Sequence, residues 1–584
     1  MIKLRNAVRS LVAVVVVLGV ASCPAESRGE GALPLVPPGE IISQRLAETP
    51  DAIGAVWTMG QPATPDSRLV FEQRAVETDT WPNADAILCT TLDQSECAPR
   101  PTTKLAAQSV LGVCRNDEEL GCLESVKLRV GTNALSSLSL VGYTGSETVF
   151  EESRSLGIPR GSSFGRWRAG DGSEYLVMAE VNSFFKSKAS SWERTQTSFV
   201  MSVLRIRPGS TVEPGRAELQ KLPFTSYKIA TSRVDPPSTI QFEPNTRIEL
   251  GVRLPNIVSG WFNARLRDGT VSAKVLDKER TSYTVAGDVA NVYVAGNVVK
   301  LSALPPNFLR SNNFFDAPAG TSAAFGGQLG EAQQLLDVYA KWLPYIGDKA
   351  LTTRTEWVVR GVGWTGNSCF SGGTGVAGLL ATNAAMYNGV PPTWNEARKS
   401  LDFTVASPHV DENGQDAVGV YTLSIPSGTV GCLYGKEKLP AFAEISVTSG
   451  SDGADFTSTL SLAETSGWLN FSATGFHYSQ PTISVRLTDT KTTASPSTKS
   501  RTITTLRVGT SGRRVTVSFV RPASTSRYSV ALSSPKYGTV TARCRYVKDR
   551  VTCTSAVLRP GSWKTVVTPD GSAGVPTTRT VRVS

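Results

Sequence analysis

The sequence predicts a mainly β protein made of several β-sandwich modules with one helical insert. Apolar residues recur at a period of two, as where Ile248, Leu250, Val252 and Leu254 alternate with Arg247, Glu249, Gly251 and Arg253. Clusters of Gly, Pro, Asp and Ser punctuate such runs. Strong helical spacing occurs mainly once, over 328–343, where Leu329, Ala332, Leu336, Tyr339 and Leu343 form one stripe and Pro344 is expected to stop the helix.

At roughly 100 to 200 residues per domain, 584 residues suit about three to five domains. Charged residues at 19% and hydrophobics at 40% exclude wholesale disorder and a multi-span membrane protein. The chain has two histidines, His409 and His477, so any His-rich metal site or Ser/His/Asp relay would depend on one of them.

Residues 1–22 read as an export signal. Lys3, Arg5 and Arg9 supply the positive start, and Leu11 to Val20 supply an apolar run too short to span comfortably. The run ends in Val20-Ala21-Ser22-Cys23, which resembles the bacterial lipobox. That resemblance implies diacylglycerol transfer to the Cys23 sulfur, cleavage before it, acylation such as palmitate and an extracytoplasmic, membrane-anchored protein. The competing reading is ordinary cleavage after Ala21 or Ala25.

Setting Cys23 aside leaves eight cysteines. Cys89/Cys97 and Cys114/Cys122 share one short spacing, Cys544/Cys553 has a spacing one longer, and Cys369 and Cys432 remain. Local pairing is the expected assignment, since the short C-x2-C knuckles and neighbouring His of zinc sites are missing. Four disulfides persist only outside a reducing interior.

Residues 23–44 form a Pro, Gly and Glu-rich tether, and 45–235 a β-rich domain. Residues 236–318 read as a small β-sandwich unit. Within it, 262–267 and 270–275 flank Asp268-Gly269, the signature of a two-residue hairpin that would put Phe262, Ala264, Leu266, Val271, Ala273 and Val275 on one face. Residues 319–438 form a mixed domain with the helical insert. Its weaker helix candidates are 375–387 and a capping-box start at Thr393 and Glu396, and a 369/432 bridge would pin the insert onto strands. A β module at 439–487 and a Thr, Ser and Lys linker at 488–500 follow.

Past residue 490 the charge changes sign. Residues 491–584 hold 17 Lys and Arg against Asp549 and Asp570, a net of +15, whereas 23–490 hold 40 against 48. Val515 to Phe519, Pro522, Tyr528 to Val530, Leu558-Arg559-Pro560-Gly561-Ser562-Trp563, Gly574 and Pro576 resemble a bacterial fibronectin type III module, an Ig-like sandwich covering 501–584. Phe519 stands where that family usually has Trp, and Trp563 lies near the place of its corner Tyr. Cys544 and Cys553 lie symmetrically about Lys548-Asp549, so a two-residue turn would set them opposite one another. Residues 401–487, with Cys432 to Gly435, Gly467-Trp468 and Gly475-Phe476, are also similar to segments of uncharacterised actinobacterial surface proteins, a likeness that supplies no activity.

Gly373 to Gly378 fit G-x-G-x-x-G, but a nucleotide site would require a βαβ setting. Ser183 and Lys186 form an isolated S-x-x-K without the companion motifs of acyl-transfer enzymes. Asp411, Asn413 and Asp416 offer oxygens around a Gly turn and make a calcium candidate, the competing reading being an Asn-Gly hairpin turn. His409 and His477 read as a structural polar residue and a turn residue. Trp261, Trp357, Trp468 and Trp563 sit in strand-like contexts that favour core packing over sugar stacking.

The expected function is a cell-surface lipoprotein with a binding or envelope-architecture role, its basic terminal module contacting an anionic polymer or glycan. The alternative is a secreted hydrolase acting on glycans, which needs only two suitably spaced carboxylates.

Overall fold

The computed structural model describes residues 38–57, 66–74, 84–213, 219–220, 228–229, 233–234, 239–311, 319–325, 332–362, 368–371, 375–387, 392–435, 442–448, 455–461, 464–465, 467–478, 482–488, 506–520, 528–534, 536–547, 550–569 and 577–583. The protein is mainly β, with several antiparallel sheets.

In the part before residue 489, long strands pass from one sheet to another. Gly260–Val275 pairs with Ala350–Val362 through residues 261–265, then with Arg280–Lys300 through 266–275. Arg280–Lys300 pairs first with Arg247–Pro255 and later with Ala52–Trp57 and the start of Ala350–Val362. Such sharing joins the segments 45–235, 236–318, 319–438 and 439–487 through one hydrogen-bonded network.

The Asp268-Gly269 pair does not make a hairpin. Strand Gly260–Val275 runs through it, with two residues opposing Gly287 alone between the Arg267/Asp288 and Thr270/Ala286 pairs. This is a β-bulge, and Asp268 takes its left-handed turn at φ 50. Gly287 sits tightly opposite, since a Cβ there would lie 3.0 Å from the Leu266 side chain. Phe262, Ala264, Leu266 and Val271 enter the core, while Ala273 is exposed and Val275 runs out to 65% exposure beyond the bulge. The period-two reading of Ile248, Leu250, Val252 and Leu254 is met: all four are buried in Arg247–Pro255.

The main helix is Ala332–Ile346, and Pro344 lies inside it instead of ending it. Pro344 gives up its hydrogen bond to the Ala340 carbonyl and sets its ring against it, and the helix closes just beyond it at Gly347, whose N–H donates to Leu343 O at 3.0 Å. Leu336, Tyr339, Trp342 and Ile346 pack with Trp57 and Ile53 of the Ala52–Trp57 strand. A second helix, Pro38–Glu48, begins inside the segment read as a tether; the i,i+4 pair Ile42 and Leu46 buries its face against Val56 and Leu351.

The helix expected at 375–387 is instead strand Val376–Thr382 followed by Met386–Tyr387. All seven residues of Val376–Thr382 are buried between two neighbouring strands, and a short continuous apolar run suits a central strand as well as a buried helix. Thr393 also begins a strand, Thr393–Asn395, and the Glu396 carboxylate accepts the Trp394 indole N–H at 2.6 Å. Cys369 and Cys432 sit on the short helices Ser368–Ser371 and Ser427–Tyr434, with strands between them in sequence.

Residues 507–583 form a sandwich of two four-stranded sheets. One holds Arg507–Ser511, Arg514–Val520, Arg550–Thr554 and Arg543–Val547 in that order; the other holds Gly538–Thr541, Tyr528–Ser534, Gly561–Pro569 and Thr577–Val583. Val515, Val517, Phe519, Val551 and Cys553 from the first meet Tyr528, Val530, Leu532, Trp563 and Val567 from the second. Phe519 sets its ring edge-on to Tyr528, with centroids 4.8 Å apart. The Trp563 indole N–H donates to Arg559 O at 2.9 Å, so a backbone carbonyl four residues upstream satisfies the buried ring.

Candidate functional site

In the first sheet of the terminal sandwich, alternation alone decides which side chains leave the core. Val515, Val517, Val551 and Cys553 point inward and are buried, so Arg514, Thr516, Ser518, Arg550, Thr552 and Thr554 point outward. On the edge strand the Cys544–Cys553 bond fixes Cys544 inward and sends Arg543 and Arg545 out; register pairs Cys544 directly with Cys553, as the spacing predicted. On the opposite edge Arg507 pairs with Ser518.

The pairings line up across all four strands. Arg507, Ser518, Thr552 and Arg545 form one row, and Gly509, Thr516, Thr554 and Arg543 form the next. The result is a floor of four small hydroxyl residues bordered by Arg507, Arg514, Arg543, Arg545 and Arg550, all exposed. None of the five has an acidic partner among the described residues. At about 4.8 Å between strands, Arg507 and Arg545 stand roughly 14 Å apart in backbone position, and Arg543 and Arg545 are separated by about 7 Å along their strand.

The outward face of the other sheet is different. Of its described side chains, Ser529, Ala531, Ser533, Thr539, Thr541, Ser562 and Val566 are neutral and only Lys564 and Arg582 are cationic. Several arginines before residue 489 are paired with carboxylates: Arg166 and Arg168 hold Glu174, Arg129, Arg247 and Arg267 surround Asp288, and Arg253 meets Glu124 at 3.0 Å. A guanidinium fork left without a carboxylate offers paired donors to a phosphate or carboxylate from outside.

The remaining predicted site residues are spread through the chain. Cys23 lies outside the described residues. All eight other cysteines pair as expected: Cys89 with Cys97, Cys114 with Cys122, Cys369 with Cys432 and Cys544 with Cys553. Cys114, Glu119 and Cys122 come close enough together to suggest a metal group, but the two sulfurs are bonded to each other. Glu119 is held by Arg115 and Arg160. Burial pushes its carboxyl up, yet the hydrogen bonds and charges of these two arginines bring it below the usual range.

At the calcium candidate, one Asp411 carboxylate oxygen accepts the N–H groups of Asn413 and Gln415 at 2.8 Å each, and Gly414 N–H donates to Asp411 O. Asp411 thus caps the Asn413-Gly414 turn, and Val410 bridges Asp416 across it. His409 lies against Asp348, which accepts its backbone N–H at 3.0 Å. His477 ends strand Trp468–His477 instead of lying in a turn, because it pairs with Val418.

Gly375 and Gly378 serve packing. A Cβ at Gly375 would meet the Tyr283 hydroxyl and one at Gly378 the Trp261 ring, and a strand follows where a phosphate loop would open a helix. Ser183 is buried and Lys186 exposed on opposite faces of Glu174–Lys188, so the S-x-x-K pair cannot act together. Trp261, Trp357, Trp468 and Trp563 are all buried in strands, so none offers a sugar platform.

Sequence reasoning found the basic module but not its five arginines. The signal was present in Arg543-Cys544-Arg545 and in Arg550-Val551-Thr552-Cys553-Thr554: once the bonded cysteines face inward, the alternate residues must face out.

No known protein family matches the chain. No curated protein matches it. Among solved structures, a "Biofilm associated protein - BSP domain" aligns with 90% of this chain and 98% of its own length, at 9% identity and a TM-score of 0.11, a value that carries no argument. No helix among the described residues is long and apolar enough to cross a membrane.

Proposed function

We propose that this chain is a lipid-anchored, disulfide-bonded surface protein whose basic terminal sandwich contacts an anionic polymer of the cell envelope. The carrying observation is the outward face with five exposed arginines and no acidic partner among the described residues. Such a face concentrates positive potential on one side of a small module and attracts polyanions. Four disulfides support a place outside the reducing interior. The lipobox-like ending at Cys23 supports fastening at the other end of the chain, and the resemblance of 501–584 to fibronectin type III modules supports an adhesive or architectural role.

The test has two parts. Mass spectrometry of the membrane fraction should find an amino terminus beginning at an acylated Cys23. The mature chain should bind immobilised anionic wall polymer at low ionic strength and leave it steeply as salt rises. An unmodified Cys23 on a protein kept inside the cell would end the anchoring reading, and indifference to every polyanion would end the binding one.

A further inference from the structure

Building on the polyanion reading, we infer that the arginine face is shaped for an acyclic phosphodiester chain, a polyol phosphate, laid across the strands from Arg507 to Arg545. The first ground is what the face lacks. Single-stranded nucleic acids are held by stacking bases on aromatic rings, and sugar rings likewise rest their apolar faces on such rings. The outward positions of this sheet whose side chains are described hold Arg, Thr, Ser and Gly, with no aromatic residue, and Val520 and Val547 share the face by register on either side of Arg550. The same lack argues against a bilayer surface, which peripheral segments enter with Trp, Phe or Leu.

The second ground is what the face supplies. Thr516, Ser518, Thr552 and Thr554 put four neighbouring hydroxyls on this face, each able to donate to a phosphate oxygen or exchange bonds with a polyol hydroxyl. Guanidinium forks at the border match phosphate oxygens two at a time. The intervals also fit. Arg543 and Arg545 repeat at about 7 Å along the edge strand, and Arg507 stands roughly 14 Å away across the floor. A flexible chain with a phosphate every several ångströms can meet both spacings without a ring to accommodate.

The test uses the mature chain, residues 23–584, and three soluble probes of equal charge: a synthetic glycerol phosphate decamer, an oligothymidylate and an oligogalacturonate, together with anionic phospholipid vesicles. At about 0.15 M salt the decamer is expected to bind at least about tenfold more tightly than the other probes. The double variant Arg543→Gln, Arg545→Gln should weaken decamer binding by about tenfold or more and flatten the salt slope by about 1.5, as loss of two phosphate contacts requires. Lys564→Gln with Arg582→Gln, on the opposite sheet, should leave binding unchanged. Unaltered thermal unfolding of both variants separates binding loss from misfolding.

Equal binding of all probes overturns the phosphodiester inference while leaving the general polyanion reading intact. Preference for the oligothymidylate, the oligogalacturonate or the vesicles overturns it in favour of that class. Decamer binding lost through Lys564 and Arg582 but not through Arg543 and Arg545 places the contact on the other sheet and overturns the assigned face. Failure to bind any probe removes both readings together.

Discussion

Glu119 and Arg160 form an ion pair at 2.9 Å that is almost closed to solvent, beside the Cys114–Cys122 bond. Arg160 also donates to the backbone carbonyls of Val113 and Glu147, and Glu119 accepts from the Arg115 backbone and side chain. The pair therefore ties the disulfide loop to the segment carrying Arg160. Glu119→Gln leaves the Arg160 guanidinium buried without its counter-charge, and a loss of about 3 kcal/mol is expected. Denaturant titration of the disulfide-intact protein checks it; a change below about 1 kcal/mol would show that the carbonyls suffice.

Glu180 supplies a pH test. Burial pushes its carboxyl above the ordinary range, against the hydrogen bonds from Gln108 and Asn182. A raised folded value means that the native state holds the proton better than the unfolded chain. Stability from this group is complete below about pH 4.3 and is lost as pH rises through the folded value. Glu180→Gln removes that dependence. The variant should melt higher than the natural chain at pH 7, with the gap closing as pH falls below about 4. A gap that widens on acidification would reverse the assignment.

Cys369 and Cys432 close the longest loop among the four bonds, 63 residues in separation. Replacing both by Ser is expected to cost about 4 kcal/mol through the freed unfolded chain. The loss should appear in the unfolding of the part before residue 489 and leave the terminal sandwich unchanged. Limited proteolysis with mass spectrometry reads the two parts separately.

Trp563 donates its indole N–H to Arg559 O while its ring stacks on Tyr537 at 6.0 Å. Trp563→Phe keeps an aromatic ring but leaves that carbonyl without its donor, at an expected cost of about 1 to 2 kcal/mol. Trp563→Ala removes the packing as well and should cost about 3 to 5 kcal/mol. Equal effects of the two substitutions would show that the hydrogen bond, and not the ring, holds the corner.

The sequence by itself determined the mainly β character, the four cysteine pairings, the burial of four tryptophans and the charge of the terminal module, because each follows from local spacing, parity or composition. Period-two alternation at 248–254 and the symmetric placing of Cys544 and Cys553 needed no knowledge of partner strands. Tertiary structure alone decided that Asp268-Gly269 is a bulge, since a tight turn and a bulge share the same two residues and differ only in which strand lies opposite. It also decided that Val376–Thr382 is a central strand, because burial on both faces erases the periodicity that would separate it from a helix. The arginine face lies between these cases. Its charge was countable, but gathering Arg507, Arg543 and Arg545 onto one surface required the pairing of strands distant in sequence, and that register is set by the packing of the opposite, inward face.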